Sequence, residues 1–201
     1  MALRIPAATY RLQFNRKFSF ADARALAPYL QALGISDLYA SPLFAARPGS
    51  PHGYDVTDPT RLNPELGGAE VFTALAGTLQ ELGMGLLLDI VPNHMVASRE
   101  NPWWWDVLQN GPDSPYAAYF DIDWQPVRPG LKGRVLVPVL GAPYGKVLEE
   151  GELTLSLTAE GFLVGYHEWR FPLNAEAHRA ILEYQKEALT GALGVEHPAV
   201  R

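Results

Sequence analysis

The sequence predicts an α/β fold that begins with strands and helices in the order βαβαβ. Three stretches have the apolar or alternating character of strands, at residues 9–14, 35–40 and 84–91, and two helical patterns lie between them. Because strand–helix–strand crossovers are right-handed, the three strands are expected to form one parallel sheet.

The helices and the first loop are predicted from local signals. Ser19 can cap a first helix, which Gly34 ends, and Pro28 inside the pattern is expected to kink or shorten it. A long loop is predicted over residues 41–68, and a second helix follows, which Gly83 ends. The apolar positions of this second helix are Val71, Phe72, Leu75, Leu79 and Leu82.

The third strand carries the first candidate site residues. Its continuous apolar run is typical of a strand buried on both faces, and Asp89, Asn93 and His94 lie at or beyond its end. The carboxyl ends of parallel strands face the ligand crevice in α/β folds. Asp89 and His94 are therefore expected to point toward such a crevice.

A second cluster lies on the predicted loop at residues 50–59, where His52, Tyr54 and Asp55 occur among Pro and Gly residues. An aromatic face packs on the apolar side of a sugar ring, and carboxylates accept hydrogen bonds from its hydroxyls. The two clusters together indicate a carbohydrate ligand. From the residues alone, Asp55 and Asp89 would be nominated as the carboxylate pair of a retaining glycosidase, about 5 Å apart.

Composition limits the classes of protein and of partner. The 201 residues are 48% hydrophobic and 19% charged, as in soluble globular proteins, so disorder and membrane association are not expected. The net charge of −6 argues against a nucleic acid partner, because phosphate binding needs clustered Lys and Arg. The chain has no cysteine and no apolar signal segment at its start, which predicts a cytoplasmic location.

The organisation changes near residue 95, where helical periodicity is lost and Trp, Tyr, Pro and Gly become dense. Short strands predicted at 135–140, 152–158 and 162–169 indicate an inserted β-rich subdomain. Helical spacing returns over 175–193. The predicted parts are a βαβαβ portion at 1–94, an aromatic-rich insertion at 95–174 and a further helix at 175–201.

Several segments carry a resemblance to a known family. Asp89 to His94 resembles the first conserved segment of the α-amylase superfamily, and Gly53-Tyr54-Asp55 resembles its substrate loop. Longer stretches resemble the maltooligosyl trehalose synthases within that superfamily; they lie at residues 9–14, 28–30, 33–36, 39–68, 89–95, 101–108, 110–111 and 119–124.

The resemblance implies the first part of a (β/α)8 TIM barrel, with the β-rich subdomain inserted after the third strand. The last helix would be the third barrel helix, and the chain would stop before the fourth strand. Further chain or a companion chain would then supply the remainder of the barrel. A three-stranded portion alone is expected to leave an unpaired sheet edge and uncovered apolar surface.

The implied enzyme is an isomerase that acts on maltooligosaccharides. It would convert the α-1,4 bond at the reducing end into an α,α-1,1 trehalose linkage. In the superfamily the nucleophile belongs to an Arg-x-Asp segment on the fourth strand and the acid Glu to the fifth. No Arg-x-Asp occurs here, and Glu168 lacks the context of the acid, so the chain is expected to be incomplete for catalysis alone.

The resemblance also replaces the carboxylate pair with separate roles. Asp89 would be a buried supporting carboxylate, and His94 would bind a hydroxyl of the sugar at the cleaved bond and stabilise developing charge. Tyr54 would stack on that sugar, and Asp55 would bind hydroxyls. Each residue also has a purely structural alternative. Asp89 could cap the turn after its strand, and His94 could be a structural histidine. Tyr54 could pack within its loop, and Asp55 could form an Asx turn.

Three further expectations concern ligands of the site. The position of Asn93 supports calcium in many α-amylases, but no clear set of oxygen ligands accompanies it, so neither a metal nor another cofactor is predicted. His52 is expected to line the site beside Tyr54. The tryptophans at 103–105 could serve as sugar platforms, although three adjacent side chains cannot all face one groove.

Two alternatives stay open at this point. One is another hydrolase or transglycosidase of the α-amylase superfamily. The other is a non-catalytic sugar-binding fragment, which the missing Arg-x-Asp segment favours.

Overall fold

The computed structural model of the protein describes residues 5–186. These residues form two compact units that divide between Pro102 and Trp103. The first unit contains, in chain order, β1 (Thr9–Leu12), α1 (Phe20–Ala32), β2 (Asp37–Ala40), β3 (Phe44–Ala46), β4 (Val56–Leu62), α2 (Gly68–Glu81) and β5 (Gly85–Leu88).

A parallel sheet in the order β1-β2-β5 forms the centre of the first unit, as predicted. The register aligns Thr9 with Asp37 and Asp37 with Gly85, so the three strands end level with one another. The two helices pack with the sheet in one apolar core, whose largest fully buried members include Phe14, Phe20, Leu30, Leu38, Leu66 and Leu75.

Helix α1 begins where the sequence predicts but is not shortened. The carboxylate of Asp22 accepts hydrogen bonds from the backbone N–H and the hydroxyl of Ser19, both at 2.7 Å. The helix runs past Pro28 to Ala32, so of the two expected effects of Pro28, a kink or a shortened helix, the shortening does not occur. Pro28 lies on the exposed side of the helix, where the backbone carbonyl that loses its bond can be solvated.

The predicted loop over residues 41–68 contains an antiparallel hairpin, formed by β3 and β4, and a short 3-10 turn at Pro64–Leu66. The sequence does not predict β4, because Asp58, Pro59 and Arg61 are unusual in a strand. A two-stranded hairpin has free edges, which tolerate a proline that cannot donate to the ladder. The connection between β3 and β4 carries the predicted site residues His52, Tyr54 and Asp55.

Strand β5 is not buried on both faces, which corrects the expectation for the apolar run at 84–91. Leu87 is 38% exposed and Leu88 is 48% exposed. Strand β5 pairs with β2, and within residues 5–186 no strand pairs with its other edge. The predicted open edge with uncovered apolar surface is therefore confirmed for the described part of the chain.

The second unit combines helices with a small antiparallel sheet. Its elements are α3 (Pro102–Asn110, which begins at the unit boundary), α4 (Tyr144–Glu149), β6 (Leu153–Thr158), β7 (Gly161–Tyr166), β8 (Trp169–Pro172) and α5 (Ala175–Tyr184). The three strands form a meander in the order β6-β7-β8.

Several expectations for this region need correction. Residues 102–110 are helical although periodicity was expected to be lost after 95, and 135–140 form no strand. The predicted strand at 162–169 is two strands, because the backbone turns at His167, whose φ is +47°. The predicted helix at 175–193 is confirmed over Ala175–Tyr184; residues 187–193 of that prediction lie outside the described residues.

A pair of glycine substitutions tests the packing of the β3–β4 connection. Gly49 and Gly53 both have φ of +77°, but a Cβ on Gly53 would lie 2.9 Å from the carbonyl oxygen of Pro42, whereas a Cβ on Gly49 meets nothing within 4 Å. Gly49→Ala should lower the free energy of unfolding by about 1 kcal/mol through backbone strain alone. Gly53→Ala should lower it by about 2–4 kcal/mol, because overpacking adds to that strain.

Urea denaturation of both variants measures the difference. Equal losses for Gly49→Ala and Gly53→Ala would show that the contact with Pro42 does not restrict this connection.

Candidate active site

The carboxylate of Asp89 is the centre of a hydrogen-bonded cluster at the carboxyl ends of the parallel strands. The hydroxyl of Tyr54 donates to Asp89 Oδ2 at 2.5 Å, and Nη2 of Arg11 lies 3.1 Å from the Tyr54 hydroxyl and 3.5 Å from Asp89 Oδ2. The three side chains come from β1, the β3–β4 connection and the residue after β5. The fold thus brings Asp89 of one sequence motif into contact with Tyr54 of the other.

The backbone at these strand ends is held by ladder-like hydrogen bonds. The N–H of Asp89 donates to the carbonyl of Ala40 at 3.0 Å, and the N–H of Ser41 donates to the carbonyl of Leu12 at 3.0 Å. The hydroxyl of Ser41, which is fully buried, accepts from the N–H of Phe14 at 2.8 Å. Asp89 therefore extends from a fixed backbone position.

Tyr39 is a fourth member of the cluster. It is the register partner of Arg11 in the β1–β2 pair. Its hydroxyl lies 3.4 Å from Asp89 Oδ2, and the guanidinium carbon of Arg11 lies 5.5 Å from the centre of its ring, within the range of a cation–π contact. The ring of Tyr39 thus packs on the guanidinium of Arg11, and the hydroxyl of Tyr39 lies beside the carboxylate of Asp89.

Arg11 and Tyr39 were not identified from the sequence. A signal for Arg11 was available, because a charged side chain in a strand of a parallel sheet needs a partner. Nothing local names that partner, since Arg11 and Asp89 are 78 positions apart.

The protonation states follow from these contacts. The hydrogen bond to Asp89, with a smaller contribution from burial, raises the pKa of Tyr54, although Arg11 acts in the opposite direction. Burial acts to lower the pKa of Arg11, but the contacts with Tyr54, Tyr39 and Asp89 outweigh it and the pKa is raised. At neutral pH the phenol is therefore a donor and the guanidinium a cation.

The β3–β4 connection is organised by hydrogen bonds of its own. The hydroxyl of Ser50 donates to Asp55 Oδ1 at 2.5 Å and accepts from the N–H of Gly53 at 3.0 Å. Nδ1 of His52 accepts from the N–H of Tyr54 at 3.0 Å and lies 3.9 Å from Asp55 Oδ1. Asp55 thus closes the turn, and within the described chain no hydrogen bond or ion pair joins it to Asp89.

Gln13 connects this turn to β1. Its side-chain amide donates to the carbonyls of His52 at 3.2 Å and Pro51 at 3.4 Å. Its Oε1 accepts from Nη1 of Arg11 at 3.0 Å. One side chain therefore contacts both the turn that bears Tyr54 and the cation that contacts Asp89.

Within residues 5–186, His94 and Asn93 are not hydrogen-bonded to the Asp89 cluster. Both are exposed, and Nδ1 of His94 lies 3.0 Å from Oδ1 of Asn93. In residues 5–186 no hydrogen bond or ion pair joins His94 to Asp89 or Tyr54. The segment that follows is anchored to β4, since the N–H of Val96 donates to the carbonyl of Val56 at 2.9 Å.

The tryptophans have aromatic partners within the second unit. Trp103 stacks on Tyr116 with ring centres 5.3 Å apart and planes 6° apart, and Trp104 packs against Phe120 at 5.3 Å.

For the part of the chain that the structure describes, no group of three or more His, Asp or Glu side chains is placed to hold a metal ion. No helix of that part is long and apolar enough to cross a membrane.

The fold of this chain is similar to part of several solved structures. The structure of maltooligosyltrehalose synthase from Arthrobacter ramosus matches with a TM-score of 0.73 and 39% identity, over 89% of this chain and 23% of that chain. A second maltooligosyl trehalose synthase structure matches with a TM-score of 0.75 and 38% identity, over 84% of this chain and 22% of that one. The first unit is thus part of a TIM barrel.

Comparison with curated proteins gives the same assignment. A protein of Mycobacterium tuberculosis strain H37Rv, provisionally named a maltooligosyl trehalose synthase, is 44% identical over 162 residues, which are 73% of this chain and 21% of the relative. The intracellular maltogenic amylase of Bacillus subtilis is 38% identical over 99 residues, 49% of this chain and 16% of that protein. The chain thus spans about a fifth of the length of such relatives.

The model of the α-amylase catalytic domain matches residues 26–141, more than half of the sequence. This range holds the whole β3–β4 connection, β5 and Asp89. The chain therefore belongs to the α-amylase family.

Proposed function

We propose that this chain forms one side of the active site of a maltooligosyl trehalose synthase. The observation that carries the proposal is the Tyr54–Asp89 hydrogen bond, which unites the two motifs that resemble sugar-binding segments of the family. The 44% identity to the Mycobacterium tuberculosis relative supports it. The substrate would be a maltooligosaccharide, rearranged at its reducing end.

The proposed reaction breaks the terminal α-1,4 bond and forms an α,α-1,1 bond with the same glucose. A carboxylate would form a covalent glycosyl intermediate, an acid would protonate the leaving O4, and the anomeric hydroxyl of the released glucose would then attack. No water is consumed, so the product is an isomer of the substrate. We propose that the nucleophile and the acid belong to segments beyond the fifth of the relatives that this chain spans.

The residues of this chain would bind and orient the sugar at the cleaved bond. Tyr54 would place its ring against the sugar, since the hydroxyl hydrogen bond to Asp89 fixes the ring in one orientation. Asp89 would act as a supporting carboxylate. Its 3.5 Å contact with Nη2 of Arg11 supports this proposal, because a carboxylate in such a role holds neighbouring groups in place.

The other candidate residues complete the proposal. His94 would bind a sugar hydroxyl, and its exposed imidazole is available for that. His52 and Asp55 would line the site from the β3–β4 connection, and Asn93 would orient His94 through their 3.0 Å contact. We further propose that residues 95–174 are an insertion after the third barrel strand and that 175–201 include the third barrel helix. A cytoplasmic location and a companion chain stay predictions.

A second candidate function is hydrolysis of α-glucans, which the 38% identity to the Bacillus subtilis maltogenic amylase favours over 99 residues. The two activities differ in how many reducing ends they leave. Transfer to the 1,1 position removes a reducing end, whereas hydrolysis creates one and adds a water.

Product analysis with the full-length protein that carries this chain separates these functions. Incubation with maltopentaose should remove reducing ends and yield a product of unchanged mass, measured by a reducing-sugar assay and mass spectrometry. A rise in reducing ends, with shorter oligosaccharides whose summed mass exceeds that of maltopentaose by one water, would favour the hydrolase. No conversion, together with heat release when maltopentaose is titrated into the protein, would favour a non-catalytic sugar-binding role.

Tyr54 variants test the proposed sugar contact. Tyr54→Phe keeps the ring but removes the hydrogen bond to Asp89, so kcat/KM should fall roughly 10- to 100-fold, as expected for a hydrogen bond to a charged group. In Tyr54→Ala the value of kcat/KM should fall further, because the aromatic face that stacks on the sugar is lost. Tyr29→Ala is the control, since Tyr29 is 63% exposed on α1. Equal kcat/KM values for Tyr54→Ala and the control would contradict the assigned role.

A substitution of His94 separates function from folding. His94→Ala should lower kcat roughly 100-fold, as for the loss of a hydrogen bond to a sugar hydroxyl that strengthens in the transition state. The free energy of unfolding should change by less than about 0.5 kcal/mol, because the side chain is exposed. Steady-state kinetics and urea denaturation measure the two effects, and an unchanged kcat would remove His94 from the proposed site.

A further inference from the structure

Two side chains on one face of the β1 end connect the proposed site to the turn that carries Tyr54. Arg11 and Gln13 are two positions apart in the extended chain, so they point to the same face. Nη1 of Arg11 donates to Oε1 of Gln13 at 3.0 Å, which orients the two side chains relative to each other.

Gln13 uses both ends of its amide. The NH2 group donates to the carbonyls of Pro51 and His52, and the oxygen accepts from Arg11. A carboxylate at this position could not donate to those carbonyls, and an apolar side chain could make none of the contacts. The turn is therefore held to β1 through its backbone, immediately before Tyr54.

Arg11 uses the other side of its planar fork. Nη2 faces the Tyr54 hydroxyl and Asp89 Oδ2, while Nη1 faces Gln13. The ring of Tyr39 packs on the guanidinium at 5.5 Å. A lysine ammonium is a single point of charge and cannot reach both sides in this geometry.

We propose that Arg11 and Gln13 are positioning residues that hold the Pro51–Tyr54 turn so that the Tyr54 ring and the Asp89 carboxylate face the substrate together. We call this pair the β1 clamp. The inference rests on the proposed function for its catalytic consequence, but the placement of the turn is a separate, measurable property.

The clamp has a specific energetic signature. The side chain of Arg11 is 36% exposed and that of Asp89 is 17% exposed, so solvent screens their attraction and the pair adds little to global stability. Its effect is expected on orientation instead. Loss of the clamp should lower kcat, which depends on the aligned geometry, more than it changes the free energy of unfolding.

The experiment compares Arg11→Lys, Arg11→Met and Gln13→Glu with the matched control Arg24→Met in the full-length protein. Arg24 lies on α1 and donates to the hydroxyl of Thr78 at 3.1 Å, away from the clamp. On maltopentaose the three clamp variants should lose roughly 10- to 100-fold in kcat. Arg11→Lys should not restore the rate, and the control should match the wild type.

A second readout does not depend on catalysis. Hydrogen exchange of the Gly53 and Tyr54 amides should accelerate in the clamp variants, because the turn opens more often. The Tyr54 pKa, followed by NMR of 13C-labelled tyrosine, should rise in Arg11→Met since the cation that opposes the effect of Asp89 is gone.

The outcomes keep the two proposals apart. If the wild type converts no maltopentaose, the proposed function fails, while exchange and titration still decide the clamp. Unchanged exchange in both Arg11→Met and Gln13→Glu would overturn the clamp. So would wild-type kcat in those variants of an active enzyme. Faster exchange with reduced kcat supports it.

Discussion

The level register of the three parallel strands is the constraint on which the rest of the candidate site depends. It aligns Arg11 with Tyr39 and Tyr39 with Leu87, so the residue after β5 emerges beside them. A parallel sheet collects the carboxyl ends of its strands at one edge, which is where loops can supply ligand contacts. A register slip of one residue would move each side chain to the opposite face of the sheet and disperse the cluster.

The cluster is organised for orientation more than for stability. Tyr54 and Arg11 both contact the same oxygen of Asp89, and Tyr39 approaches that oxygen as well. Each neighbour favours one rotamer of the carboxylate, and the carboxylate in turn fixes the Tyr54 ring. Because the ion pair is partly open to solvent, its attraction is screened, and the defined geometry is the main consequence.

The sheet that positions the cluster also has an uncovered edge at β5. Leu87, Leu88 and Ile90 expose between 38% and 57% of their surface beside a strand edge that is unpaired within the described residues. A (β/α)8 barrel has eight parallel strands, so in a complete barrel a further strand pairs with the third. An unpaired apolar strand edge of this kind favours aggregation unless another element covers it. Whether the chain aggregates therefore depends on what pairs with β5.

The sequence by itself determined the parallel βαβαβ order and the ends of both helices, because periodicity and capping are local signals, and its short motifs singled out Asp89 and Tyr54 as candidates. It did not reveal the β3–β4 hairpin, whose second strand contains a proline and charged residues. Only the tertiary structure decided that Arg11, Gln13 and Tyr39 meet these motifs, since Arg11 and Tyr54 are 43 positions apart and no local pattern encodes such a contact. Side-chain partnership at a strand edge depends on register and on the path of a turn, which are properties of the folded chain.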